Sequence, residues 1–417
     1  MDFTYVDHEK SAKIKVIGIG GGGGNAVNNM IDSQLNGVKF IAANTDAQAL
    51  AHAKANTKIQ LGEQLTQGLG AGADPNVGRD AALESADLLR EALSESHMIF
   101  IAAGLGGGTG TGAAPVIAEI CKEVGALTVA VVTKPFKFEA KKRSKQAEDG
   151  IARLKEVADT VITIPNDRLR GLAKKNATLI DMFRMADEIL HHSVKGITDL
   201  IMHPGLINLD FADVKTIMSK SGMAIMGIGI SDGDNRAIEA AEKAISHPLL
   251  EDNSISGAKG VLMNITSSSE LTMEEAIEAS ERIYNEIGDD DVEIIWGTAM
   301  DDGLGDEMRI TVIATGIGEE SGEDMHLPRK SVRQLKDVKR GRVRDYTTED
   351  REYEKTLNQP TFWRVKQQEQ QEQQKQQAEQ KKESGSEQKR KKAGNSMDDY
   401  FDLDMLDVPT FLRRKAD

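Results

Sequence analysis

One cysteine, Cys121, occurs in 417 residues. No internal disulfide can form, so a disulfide-framed secreted scaffold is excluded and a reducing cytoplasm is the expected home. Aromatic residues make up only 4% of the chain, a deficit that lies partly in a polar C-terminal segment. No run approaches the ~20 apolar residues of a membrane span. The opening MDFTYVDHEK lacks the apolar core of a signal peptide. Direct membrane insertion is therefore not expected, and any membrane association goes through a partner. Positive charge is also short: the formal net charge is −15, which argues against nucleic acid as a partner. Finally, no GxxxxGK[ST] occurs, which rules out a Walker P-loop.

What the chain does have is glycine, gathered in three stretches. Lys13 to Ile19 reads as a strand, Gly20 to Asn25 as a glycine loop, and Ala26 to Leu35 as a helix. Gly18, Gly20 and Gly23 form a GxGxxG, and Phe40 to Ala43 is a strand ending at Asn44-Thr45-Asp46. Taken alone, these fifty residues suit a dinucleotide-binding oxidoreductase as well as an NTPase. The second stretch is Gly68 to Pro75, followed by a helical pattern from Val77 to Leu93. The third is the strongest. Met98 to Ala103 is apolar, Gly104 to Gly112 holds six glycines in nine residues, and Ala113 to Ile120 reads as a helix with Pro115 in its first turn. Glycine lets backbone N–H groups approach a phosphate, and a helix start adds unpaired donors and partial positive charge. Thr109 and Thr111 can add hydroxyls. Three such loops suggest several sheet edges converging on one polyphosphate, whereas a NAD site needs one.

Further strands at Leu127–Thr133 and Val161–Ile164 alternate with helices, which predicts a doubly wound parallel sheet. Ligands bind such sheets at the carboxyl ends of the strands. Gly21 to Asn25, Asn44, Gly108 to Gly110, Glu139 and Asn166 all fall at or just past such ends. Thr178 to Met202 reads as one long central helix, apolar nearly all round and so buried, running roughly 35 Å to the opposite side of the sheet. His191 and His192 on it lack metal-ligand spacing and read as packing or surface residues. Asp210 suits an N-cap, with Asp213 in the first turn of a helix near Ala212–Lys220 and Asn208 nearby. Strands at Ala224–Ile230, Gly260–Ile265, Val292–Gly297 and Met308–Thr315, with helices at Asn235–Ile245 and Thr272–Ile287, predict a second, smaller α/β domain. The expected organisation is a tail at 1–12, a nucleotide-binding domain at 13–177, the central helix at 178–202 and the second domain at 203–318. A disordered linker at 319–396 and a terminal peptide at 397–417 follow. Lys366 to Ser396 is Gln, Glu and Lys with no large apolar residue and cannot form a core. Apolar residues then return between acids and bases, as in a peptide that orders on a partner.

Gly106 to Gly112, GGGTGTG, matches the signature of the tubulin/FtsZ family of GTPases, and the chain resembles that family from about Lys13 to Gly318 and again at its last residues. Asn208 to Val214 matches the family's NxDFADV loop, and Val408 to Arg414 resembles the terminal peptide of its bacterial members. The resemblance implies a filament-forming GTPase of the bacterial division ring at midcell, with GTP or GDP and Mg²⁺ bound. Gly21, Gly22, Gly23, Gly24, Asn25, Gly108, Thr109 and Gly110 would cradle the phosphates, with Asn44 in the same site. Ala71, Gly72 and Ala73 would lie near the γ-phosphate, and Glu139 and Arg143 at the ribose and phosphates. Asn166 and Asp187 would read guanine. Mg²⁺ would ride on phosphate oxygens with few direct protein ligands. Asp210 and Asp213, with Asn208, would be the catalytic group, supplied by the next subunit of a head-to-tail homopolymer. Leu406, Pro409, Phe411, Leu412, Arg413 and Arg414 would dock membrane-tethering and regulatory division proteins. The alternatives are a NAD-dependent oxidoreductase and a GTP-binding filament protein that does not hydrolyse. Apart from the resemblance, Leu357 to Lys366 repeats the terminal LxxPTFxRxK pattern. Two readings stand side by side: a second, weaker docking site that would let one tail engage a partner bivalently, or chance similarity in a Thr/Arg/Lys-rich tail; binding of a 353–368 peptide to the terminal peptide's partner decides between them.

Overall fold

Strands that are apolar on both faces belong in the middle of a parallel sheet. β1 (Ile14–Ile19) and β4 (Met98–Gly104) are such strands and pair with each other in register, Ile14 opposite Met98 and Ile19 opposite Ala103. The computed structural model describes residues 12–317 apart from 174–175, 203–204, 208, 220–221, 251–254, 256 and 289–291. Asn208, nearly all of the N-terminal tail, the linker, the inner repeat and the terminal docking residues lie outside the described residues.

Between β1 and β4 run α1 (Gly20–Asp32), β2 (Val38–Asn44), α2 (Ala47–Ala51), β3 (Thr57–Gln60), α3 (Glu63–Thr66), α4 (Pro75–Glu84) and α5 (Ala86–Leu93). After β4 come α6 (Thr109–Glu123), β5 (Leu127–Lys134), α7 (Lys141–Val157), β6 (Thr160–Pro165), α8 (Asn166–Leu169) and the 24-residue α9 (Leu179–Met202). α10 (Phe211–Met218), β7 (Gly222–Ser231), α11 (Arg236–Ile245), β8 (Gly260–Ser267), α12 (Met273–Ile287), β9 (Glu293–Met300) and β10 (Met308–Ile317) complete the described chain. The strands form one ten-stranded sheet in the order β3-β2-β1-β4-β5-β6-β7-β10-β8-β9. β1 to β7 pair in parallel, β10 runs antiparallel between β7 and β8, and β9 is parallel to β8.

Two cores follow from the alternation of side chains along β1. Val16 faces a layer with Met30 of α1 and Leu190, Val194 and Ile197 of α9, while Ile17 and Ile19 face Ala113 and Ile117 of α6 and Leu89 of α5. A third core lies under α11 and α12. The first core continues to Met226, Leu262 and Ile313, so α9 lies over the junction of the two halves and not between separate sheets. The all-round burial expected of α9 holds from Ile189 to Leu200, while Leu179, Ile180 and Phe183 in its first turns are exposed.

Several local expectations change. Gly20 to Gly24 are the first turns of α1 and not a loop before it. α6 starts at Thr109, which places Pro115 in its second turn and removes one helical hydrogen bond. The 77–93 pattern is two helices broken at Ser85, whose hydroxyl accepts from Gly62 N at 3.0 Å. β3 has no clear sequence pattern and is held by pairing with Ile41 to Asn44. Cys121 is buried in α6, where desolvation pushes its thiol up to about 12, so it is inert.

Candidate functional site

The strand order reverses between β1 and β4, and a crevice opens there at their carboxyl ends. α1 starts directly after β1, and α6 starts five residues after β4, so two helix N-termini point their free N–H groups into one place. The two glycine segments approach closely: a Cβ added to Gly22 would stand 3.3 Å from Gly104 Cα. At Gly21 and Gly107 an added Cβ would meet no protein atom, and both line the crevice, leaving space beside their backbone for a ligand.

The resulting cleft is about 340 Å³ and is walled by Gly21, Gly22, Asn25, Gly108, Thr109, Gly110, Glu139, Arg143, Asn166 and Asp187, all singled out in sequence. The others are near it or support it. Gly23 is buried against β4, where a Cβ would stand 2.2 Å from Ala102 O. Gly24 continues the first turns of α1. Asn44 ends β2, where its side-chain oxygen accepts from Asp46 N at 3.2 Å. Ala71 is buried against the α6 start: a Cβ on Gly108 would lie 2.8 Å from Ala71 Cβ. Gly72 and Ala73 border the neighbouring hollow with Asp74, Lys142 and Arg153.

Electrostatics divide the cleft. On the α7 side Arg143 Nη1 donates to Glu139 Oε2 at 2.5 Å, and Glu139 Oε1 accepts from Phe136 N at 3.0 Å, so a carboxylate orients the cation. On the α9 side, burial pushes the Asp187 carboxyl up to about 7, with the charge of Glu188 adding. Asn166, 5% exposed, has its side-chain oxygen without a hydrogen-bond partner. Two acceptors are therefore poised without donors. Sequence reading missed Phe183, which is half-exposed in the cleft wall and meets Phe136 edge-on at 5.6 Å, with Phe138 stacked on Phe136 at 5.1 Å. The signal was available: Phe183 precedes Asp187 by four residues and so shares its helix face.

Asp210 and Asp213 lie elsewhere. Asp210 caps α10, its Oδ1 accepting from Asp213 N at 2.8 Å. Phe211 sits 6.1 Å from the ring of His97, which just precedes β4, and Met202 at the end of α9 packs under Gly37, which just precedes β2. Both contacts are at the amino ends of the strands. The seven residues of β4 separate that edge from the cleft by about 23 Å. His191 and His192 stack at 5.3 Å, and burial lowers them to about 4 and about 3, as expected of neutral packing residues. Among the described residues no group of three His, Cys, Asp or Glu side chains is placed to hold a metal, and no helix is long and apolar enough to cross a membrane.

Fold and cleft together define a class: an α/β nucleotide-binding protein whose site is built from two glycine-rich helix starts instead of a Walker loop. The chain belongs to the tubulin/FtsZ family. Residues 13–174 match the Tubulin/FtsZ family GTPase domain, and residues 222–318 match the FtsZ family C-terminal domain. The chain is 47% identical over 405 residues to the cell division protein FtsZ of Coxiella burnetii, which covers 97% of each. It is similar to an FtsZ dimer from M. jannaschii, with a TM-score of 0.71 and 47% identity over 74% of this chain and 89% of that one. CetZ2 from Haloferax volcanii, solved as a GTPγS-bound protofilament, shares the fold, with a TM-score of 0.64 at 20% identity over 74% and 94% of the two chains. The protein is a GTPase, and the oxidoreductase that Gly18, Gly20 and Gly23 left open is set aside.

Proposed function

We propose that this GTPase polymerises head to tail into filaments of the bacterial division ring and hydrolyses GTP at the junction between subunits. One observation carries the reading: the cleft and the Asp210–Asp213 pair lie at opposite ends of the sheet. A subunit that stacks end to end with a copy of itself brings its Asp pair to the neighbour's cleft, and such a contact does not close on itself. The relatives' names agree: one is a cell division protein, another was solved as a dimer.

In this reading the N–H groups at Gly21, Gly22, Asn25, Gly108 and Gly110, with the Thr109 hydroxyl, hold the phosphates. Gly23 and Gly24 shape the helix start, Asn44 the end of β2, and Ala71 to Ala73 stand by the γ-phosphate. Arg143, oriented by Glu139, reaches the ribose and phosphates. Guanine fits the two unsatisfied acceptors: Asp187 takes N1–H and the 2-amino group, and Asn166 another base donor. Adenine lacks the first two donors and is rejected by the unpaired carboxylate. Phe183 supplies an apolar flank. Mg²⁺ would be held through the phosphate oxygens with few direct protein ligands, and would supply positive charge to the leaving group. The neighbour's Asp210 and Asp213, with Asn208 beside them, position the attacking water, and positioning is most of what phosphoryl transfer requires. The terminal peptide, through Leu406, Pro409, Phe411, Leu412, Arg413 and Arg414, docks division partners that tether filaments to the membrane at midcell.

The test is GTP turnover against protein concentration, with polymer pelleted in parallel, for wild type and Asp213→Ala. We expect turnover to appear only above a threshold concentration, and the variant to polymerise without hydrolysing. Turnover per subunit that stays constant on dilution would place the whole active site in one chain and overturn the reading.

A further inference from the structure

Thr45 is fully buried, and its hydroxyl lies 2.7 Å from that of Thr109, with either oxygen able to donate. Thr109 is the first residue of α6 and lines the cleft. The main chain around Thr45 is tied to a different element. Its carbonyl accepts from Gly70 N at 3.2 Å and from Thr66 Oγ1 at 3.3 Å. Ala47 N donates to Gly68 O at 3.0 Å, and Asp46 forms an antiparallel bridge with Leu69. One residue thus joins the cleft wall to the start of the loop 68–74. The far end of that loop leans on the same wall, since a Cβ on Gly108 would stand 2.9 Å from Asp74 N. Between these anchors Gly68, Gly70, Gly72 and Ala73 all have positive φ, and Leu69 is 85% exposed.

We propose that Thr45 is a positioning residue: it aims the Thr109 hydroxyl at the terminal phosphate and makes the loop 68–74 respond to that phosphate. The inference rests on reading the cleft as the GTP site. A hydroxyl has one proton to give and two lone pairs to receive. With nothing else to accept, the Thr45–Thr109 bond runs either way. A phosphate oxygen only accepts, so Thr109 then donates into the cleft and Thr45 donates to Thr109. A hydroxyl that accepts is a better donor, so each bond strengthens the other. The preference for one direction holds Thr45, and with it the Gly70 and Leu69 pairings. GDP, lacking the terminal phosphate, leaves the pair undirected.

Thr45→Val removes the hydroxyl at nearly constant volume, and Thr45→Ser keeps it. Full-length protein, dilute enough to stay monomeric, is loaded with GDP or a non-hydrolysable GTP analogue. Affinities and backbone amide exchange across residues 68–74 are then measured. In wild type we expect slower exchange with the GTP analogue than with GDP. In Thr45→Val that difference disappears, and the affinity ratio of analogue to GDP falls about fivefold, the weight of one hydrogen bond, while GDP binding stays within about twofold. Thr45→Ser restores both. Undiminished GTP-specific protection in Thr45→Val overturns the proposal, as does a wild-type loop indifferent to the nucleotide. A merely structural role would lower the melting temperature and leave the ratio alone, which also overturns it. Should Thr45→Val not fold, Thr45→Ala carries the same readouts. A wild type that binds neither guanine nucleotide counts against the cleft reading and not against Thr45.

Discussion

A carboxylate that must receive two N–H donors works only when ionised, and Asp187 is held at the edge of ionisation. Its pKa is about 7 in the free protein, raised by burial, so the proposed guanine contact should release a proton on binding over the acid side of neutrality. The sign follows: affinity rises as pH climbs toward 7 and levels above it. At pH 6 only about a tenth of the free protein carries the ionised form, so GDP should bind about tenfold more weakly than at pH 8. Asp187→Asn should bind guanine weakly with a flat profile, and equilibrium titrations at pH 6, 7 and 8 check both. A wild type with no pH dependence would separate Asp187 from the base. Stability moves the opposite way. A carboxyl whose folded pKa exceeds its unfolded value costs nothing near pH 3 and most above pH 7, so Asp187→Asn should raise the melting temperature more at pH 8 than at pH 5. Strand and helix alternation already put Asn166 at a strand end, whereas Asp187 was named only through the family resemblance. Their shared lack of donors depends on burial by α9 and β6, which no local pattern records.

At the scale of elements, the glycine runs were legible as junctions between a strand and a helix start, but their division of labour was not. Gly23 and Gly112 are glycine because backbone from elsewhere comes too close: a Cβ on Gly112 would lie 1.9 Å from Pro75 O, where α4 crosses α6. Gly21 has no such neighbour, so crowding by protein does not account for it, and the proposed phosphate contact does. Only the folded chain shows which is which, because the crowding atom is distant in sequence. The two classes should separate by mutation. Gly112→Ala should destabilise by about 1–3 kcal/mol or more through overpacking. Gly21→Ala should leave the nucleotide-free protein as stable or more so, by up to about 1 kcal/mol of helix propensity, while cutting GDP affinity. Urea unfolding with and without GDP reads both, and equal destabilisation would make the run purely structural. The same distance effect explains the start of α1. A Gly run reads as a loop by propensity, but packing of Gly22 against Gly104 and of Val27 and Met30 on the sheet draws the helix back to Gly20.

For the whole molecule, strand and helix alternation predicted the doubly wound half and the later α/β half. It did not predict that β6 and β7 pair, making a single sheet with a core under α9 common to both halves. That continuity holds the cleft and the Asp pair at fixed opposite ends, and it makes the shared site testable by mixing. On the proposed mechanism, Asp213→Ala subunits should bind GTP but offer their neighbour no complete Asp pair, and Asp187→Asn subunits should offer Asp210 and Asp213 but hold guanine poorly. Each alone should be nearly inactive. In a random equal mixture, a quarter of the junctions place an intact cleft against an intact Asp pair, so about a quarter of wild-type turnover should return. The gain requires co-assembly and should vanish below the threshold concentration. If each active site were contained in one chain, the mixture would show only the mean of two poor enzymes. Recovery well above that mean therefore tells a shared site from a private one, independently of any change in filament mass.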